Sequence, residues 1–264
     1  MAYLRENTLE GGTDTVAVST ANSGGASGDA FTEVSGTELK YSSAQAAVGG
    51  MSMRLVDPTG IMYAAWTGLG ALTVPVFIRF YTYLSALPPT NRLYAVRVMD
   101  DAFESMALMR ILSNGIISPA DWTNSGVGDA TVAIATAQWI RIEMRIVYGT
   151  TTGEIAWRLF NTPDSTTPTD SGSVTGVATA AGTGTGLGDV RFGVVTTPTP
   201  VAPFTVYYDG LAIDTVDWIG PAAAGPTQAI LPDADTTTTG WTTTPLFSKI
   251  NDSSDATVVT STLA

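Results

Sequence analysis

Strict alternation of apolar and polar residues most narrows what this chain can fold into. In WIRIEMRIVY (139–148), Ile140, Ile142, Met144 and Ile146 alternate with Arg141, Glu143 and Arg145. A period of two puts each set on its own face of an extended strand. Helical spacing would instead drop Arg141 and Arg145 into the apolar stripe. The turn GTTTG follows, then EIAWRLF (154–160), so the two runs read as a hairpin. VFIRFYTYL (76–84) repeats the pattern, with Val76, Ile78, Phe80 and Leu84 on one face and Phe77, Arg79, Tyr81 and Tyr83 on the other.

Further strand candidates are DTVAVST (14–20), AFTEVS (30–35), LKYSS (39–43), MSMRLV (51–56), MYAAWTGL (62–69), RLYAVRVM (92–99), ATVAIA (130–135), DVRFGVVT (189–196) and FTVYYDGLAIDT (204–215). FESMALMRIL (103–112) is rich in helix formers, yet its β neighbours favour a strand there too. About a dozen short strands separated by Gly-rich turns predict an all-β fold, an antiparallel two-sheet sandwich of jelly-roll type. Residues 1–219 form this sandwich, 220–229 a Pro/Ala/Gly linker, and 230–264 a tail with one strand-like run, ATVVTST. The stretch 178–189 reads as a low-complexity loop.

Charge and composition exclude several functions. A net charge of −12 repels nucleic acid and anionic membrane alike. With neither Cys nor His, the chain has no disulfide, no thiolate or imidazole metal site, and no Ser–His or Cys–His nucleophile. No run approaches the roughly 20 apolar residues that span a bilayer. The opening MAYLRENTLEGG carries no apolar signal core, so the expectation is synthesis in the cytoplasm and, for any outside role, release by lysis.

The segment NTLEGGTDTVAVSTANSGGASGDAFTEVSG (7–36), with WIRIEMRI, EIAWRLF and YYDGLAIDTVDWIGP (207–221), resembles the concanavalin A-like, laminin-G-like sandwich domains common in virion proteins of phages that infect actinobacteria. The likeness runs over residues 5–221. LPDADTTTTGWTTTPLFSKINDS (231–253) resembles the first strands of a second β-module of phage tail and head proteins. The resemblance implies a non-enzymatic structural protein on the outer surface of a virion, an exposed minor tail protein. Its alternatives are a capsid decoration protein or a carbohydrate-binding module touching the host cell wall. Other virion proteins and further copies of the chain are the expected partners. A tail of about 36 residues is too short to bury its own core, so residues 230–264 are expected to dock on a neighbour. Trp241, Leu246, Phe247 and Ile250 would be the anchors, with Val258 and Val259 in an added strand.

Hydrolases with a similar sandwich carry Glu-x-Asp-x-x-Glu or a close variant on one strand face, and no such string occurs here. Glu143, flanked by Arg141 and Arg145, reads as a charge-paired surface residue and not a catalytic acid. Calcium could draw on Asp100, Asp101, Glu104 or Asp209, but no spacing matches a known loop; these carboxylates read as solvated or turn-capping, and no metal ligand or other cofactor is assigned. Among the aromatics, Tyr81, Tyr83 and Trp122 are the candidates for stacking on a sugar; Trp66 is weighed with them, and Trp157 alternates with Ile155 and Leu159 and is expected in the core. GTGTGLG lacks the Lys of a phosphate loop.

Overall fold

The alternating run at 139–160 closes into the expected hairpin, with Arg141 opposite Phe160 and Val147 opposite Glu154. The computed structural model describes residues 3–58, 60–89, 92–180, 182–197 and 204–222. The chain divides into two compact units, Met1–Gly225 and Pro226–Ala264. The second unit, and with it Trp241, Leu246, Phe247, Ile250, Val258 and Val259, lies outside the described residues.

Fourteen strands are present among the described residues, and all pair antiparallel in two sheets. The larger sheet runs β12 (Asp170–Val177), β11 (Gly153–Phe160), β10 (Trp139–Val147), β6 (Val76–Leu84), β14 (Thr205–Asp214), β4 (Ser52–Val56), β3 (Lys40–Ser42), with β1 (Arg5–Asn7) beside β14. The smaller sheet runs β2 (Glu33–Ser35), β5 (Met62–Leu72), β13 (Leu187–Val194), β7 (Leu93–Asp100), β8 (Ser105–Ile111), β9 (Ile117–Asp121). Each sheet interleaves early and late strands of the chain, as in a jelly roll.

The core lies between the sheets. Phe31, Trp66, Phe192, Phe80 and Tyr208 form a continuous run of rings from the smaller sheet to the larger, with centroids 5.3–6.3 Å apart. Each such pair adds about 0.5–1.5 kcal/mol beyond its buried area. The Tyr208 hydroxyl crosses to the smaller sheet and donates to the Gly193 carbonyl at 2.9 Å. Trp157 is buried among core residues, as its alternation predicted.

Two expected strands do not form. DTVAVST and ATVAIA make single bridges, Ala17 to Lys40 and Ala133 to Ile116. Val18 and Ile134 still reach the core, so their apolar residues anchor loops. Three strands escape the alternation signal: β1 is only three residues long, and β9 and β12 are edges. ISPAD (β9) holds Pro119, tolerated where one side of the ladder is open, and DSGSVTGV (β12) is mostly small and polar. FESMALMRIL is β8, with no helical turn.

Candidate functional site

The outer face of the larger sheet gathers most of the chain's unusual chemistry. Strand register aligns outward side chains in rows across it. One row runs Asp209, Tyr81, Arg141, Phe160 over β14, β6, β10 and β11. The next runs Ala212, Arg79, Glu143, Arg158, Ser171, ending on β12.

These two rows are largely sealed by the chain itself. After β14 the backbone turns back over the sheet, and its Gly220 carbonyl accepts from Arg79 Nη1 at 3.3 Å. The Ala222 N–H donates to the Tyr81 hydroxyl at 2.7 Å. Arg79 also donates to the Gly210 carbonyl at 2.9 Å and to Glu6 at 3.1 Å. Arg141 lies over the Phe160 ring at 3.7 Å, donates to the Ser165 carbonyl at 2.7 Å and to that of Pro163, and pairs with Glu143 at 3.0 Å. Glu143 is therefore charge-paired, but it is no surface residue: it is 1 % exposed, because the returning segment covers its row. Burial pushes its carboxyl up, while the guanidinium charges of Arg141, Arg158 and Arg79 pull it down.

Asp209 sits at a β-bulge where β14 slips register before Ala212, with Gly210 in the left-handed region at φ 52°. Its carboxylate accepts from the N–H groups of Ala47 and Val48, each at 2.8 Å, and of Gly210 at 2.6 Å. Burial pushes this carboxyl up to about 8 despite those donors. Asp209 thus pins the 44–48 loop across the sheet. Of the other carboxylates weighed for calcium, Asp100 caps the Ala102 and Glu104 N–H groups, and Asp101 accepts from Thr185 and Gly186. Among the described residues no group of three acidic side chains is placed to hold a metal ion.

Beyond the sealed rows the same face opens. Trp139 of β10, Tyr83 of β6 and Tyr207 of β14 stand opposite one another on three adjacent strands. Their ring centroids lie 5.8 Å (Tyr83–Trp139), 5.6 Å (Tyr83–Tyr207) and 6.5 Å (Trp139–Tyr207) apart. Arg54 of β4 stands opposite Tyr207 and Lys40 of β3 opposite Arg54, extending the row with two cations. Tyr83 and Trp139 are half-buried; Tyr207 is nearly covered. On the far side of the sealed rows lies a groove of about 430 Å³ between β11, β12 and Trp218.

The residues singled out from the sequence are thus dispersed. Tyr81 is 1 % exposed and offers no ring face to a sugar, because 217–222 and the 44–48 loop close over its row. Trp66 is fully buried in the core. Trp122 is 42 % exposed, on the turn after β9 that Asp121 caps through the N–H groups of Thr123 and Ser125, far along the other sheet. Only Tyr83 belongs to the open row, and its partners Trp139 and Tyr207 were not singled out. Parity would have found Trp139, which is in phase with Arg141 and hence outward. Tyr207 needed the pairing of β14 with β6, which no local pattern shows.

No protein-family model and no curated protein sequence matches the chain. Among solved structures, the cellulose-induced protein Cip1 aligns with a TM-score of 0.50 and 15 % identity, over 70 % of this chain and 88 % of that one. An alginate lyase from Corynebacterium sp. aligns at 0.45 with 10 % identity over 79 % of this chain and 98 % of its own. The botulinum neurotoxin serotype C1 binding domain aligns at 0.47 with 10 % identity, over 79 % of this chain and 50 % of that one. By its own topology and by its likeness to Cip1, the chain is an antiparallel β-sandwich of jelly-roll type.

Proposed function

We propose that this chain is a non-enzymatic, glycan-binding β-sandwich carried on the outside of a phage virion, as an exposed minor tail protein or, alternatively, a capsid decoration protein. The observation that carries the binding role is the open aromatic row. Three rings from three adjacent strands face outward together, whereas outward positions elsewhere on this sheet are charged, small or covered by chain. Aromatic faces take up the apolar C–H face of a sugar, and phenol hydroxyls can meet its hydroxyls. The neighbouring Arg54 adds donors along the same line, and Lys40 beyond it pairs with Glu38 at 2.8 Å.

The non-enzymatic reading is supported by Glu143, the acid nearest the middle of the face, which is sealed and held by Arg141. A general acid must reach the bond it cleaves. The virion placement, the host cell wall as the source of the glycan, and assembly with other copies and other virion proteins are supported by the phage-protein resemblance of residues 5–221 and 231–253. In the same reading residues 230–264 dock onto a neighbour through Trp241, Leu246, Phe247, Ile250, Val258 and Val259.

A glycan array with the purified protein tests the binding role. Trp139→Ala and Tyr83→Ala should each weaken retention of the best ligand by about tenfold or more, with the fold intact by circular dichroism. Retention no better than that of an unrelated sandwich would refute glycan binding; wild-type retention by both variants would refute the row. Mass spectrometry of purified particles should find the chain at fixed copy number, and its absence would sink the virion placement. Deletion of 229–264 should leave a folded sandwich missing from particles, and normal incorporation would rule out the docking arm.

A further inference from the structure

We propose that the groove beside Trp218 binds the carboxylate of an acidic sugar, with Arg158 as its anchor. The inference rests on the glycan-binding reading for its ligand class and adds a second, charged subsite on the same face.

Arg158 lies on β11 between Glu143 of β10 and Ser171 of β12. The Trp218 ring covers its guanidinium at 4.0 Å, and Phe77 braces that indole at 5.6 Å in an edge-on arrangement. A guanidinium stacked on a ring keeps its N–H groups at the edge, available for hydrogen bonds, and Arg158 lines the groove. The other arginines of this part of the face are committed to acids: Arg79 to Glu6, Arg141 to Glu143 and Arg145 to Glu154 at 2.5 Å. Among the described residues no carboxylate comes within 4 Å of the Arg158 nitrogens. Arg158 acts on its buried cross-strand neighbour Glu143 only through space, and a half-exposed cation with no ion pair is a receptor for a planar oxyanion, which it meets through two parallel hydrogen bonds.

The surroundings fit a sugar that bears the anion. The groove's volume of about 430 Å³ falls within the range of small-ligand sites. Its far wall is β12, where the exposed Ser171 hydroxyl has no partner among the described residues and Ser173 donates to Glu154 at 3.0 Å. Between them Gly172 lets the wall close on Trp157, since a Cβ there would come within 2.8 Å of that indole. The chain's charge of −12 works against a densely charged polymer and favours isolated acidic units in an otherwise neutral glycan.

Calorimetric titration with cellobiouronic acid, its methyl ester and cellobiose tests the subsite, because esterification removes the charge and keeps the ring. The acid should bind at least about tenfold more tightly than the ester, with the gap narrowing as salt is raised. Arg158→Ala should bring the acid and ester together, Arg158→Lys should keep part of the gap, and Trp139→Ala should leave the acid-to-ester ratio unchanged. Equal binding of acid and ester by the wild-type protein, or no binding of the acid, would overturn the proposal without any variant needing to fold. A preference that survives Arg158→Ala would overturn Arg158 as the anchor. Neutral glycans retained through Trp139 alongside an acid-to-ester ratio of one would remove this subsite alone, whereas no glycan retained at all would remove the broader reading.

Discussion

Tyr81 and Tyr83 are two residues apart on β6 and point to the same side of the same sheet, yet they live in different media. Tyr81 is sealed under the segment that returns from β14 and accepts a hydrogen bond from its backbone. Tyr83 stands half-exposed among Trp139 and Tyr207. Strand alternation decides which side of a sheet a residue takes, and it does so identically for both. It does not decide whether that side meets water. Here the decision belongs to chain segments that cross the sheet: residues 217–222, the 44–48 loop and the carbonyls of Pro163 and Ser165. The sealed centre behaves as a polar second core, and the rows on either side keep side chains partly open to solvent.

Removing one partner of the central ion pair is the hardest test of that division. Glu143→Ala leaves Arg141 buried without its acid, which should cost about 3–5 kcal/mol and lower Tm by about 10 °C. Replacing both with apolar residues of similar volume should cost much less. If Glu143→Ala costs under about 1 kcal/mol in urea unfolding, water reaches the centre and the contrast between the two regions fails.

Asp209 sharpens the comparison through pH. Its folded pKa is raised from the ordinary carboxylate value to about 8, chiefly by burial, with the charge of Glu10 acting in the same direction. A raised carboxyl binds its proton more tightly in the folded chain, so the stabilisation is full below the unfolded pKa near 4 and is lost as pH rises through about 8. Stability should therefore fall by up to about 1.4 kcal/mol for each pH unit across that interval. Burial raises Glu143 and Asp189 as well, so both add to the same trend. Backbone donors lower Asp101, and at Asp170 burial is outweighed by the donors around it, so both carboxyls are lowered and act at more acid pH, outside the interval. The chain has no His to blur the reading. Unfolding free energies measured from pH 5 to 8 should slope downward, and Asp209→Asn should flatten the slope whatever it costs at a fixed pH. An equally steep slope in Asp209→Asn would remove Asp209 as its source.

The same contrast explains what the sequence made legible. The hairpin of β10 and β11, the core role of Trp157 and the two-sheet class follow from alternation, a local property. The edge strands β9 and β12 did not, since Pro119 and a run of Ser and Gly mask the period. The candidate site was legible only through Tyr83. Trp139 carried a usable signal in its phase, but Tyr207 and Trp218 enter through the pairing of β14 with β6 and the return of 217–222. Those contacts join residues 60 or more positions apart, and no periodicity encodes them. The misreading of Glu143 has the same origin: its charged neighbours were visible, while the segment that covers it comes from the end of the sandwich.

The smallest expected effect is the most discriminating, because it compares one residue type on one strand. Arg141 and Arg145 are both outward on β10 and each pairs with a glutamate, Glu143 at 3.0 Å and Glu154 at 2.5 Å. Distance alone would rank the second pair as the stronger. Solvent reverses the order: the Arg145 and Glu154 side chains are 26 % and 20 % exposed, and water and salt screen their attraction, whereas the first pair is sealed. Arg145→Ala should therefore cost only about 0.5 kcal/mol, and less at high salt. Arg141→Ala should cost several times more and be nearly independent of salt, since it strands a buried carboxylate. Equal costs for the two alanine variants, measured by urea unfolding at low and high ionic strength, would mean that the crossing segments do not separate a sealed centre from an open margin.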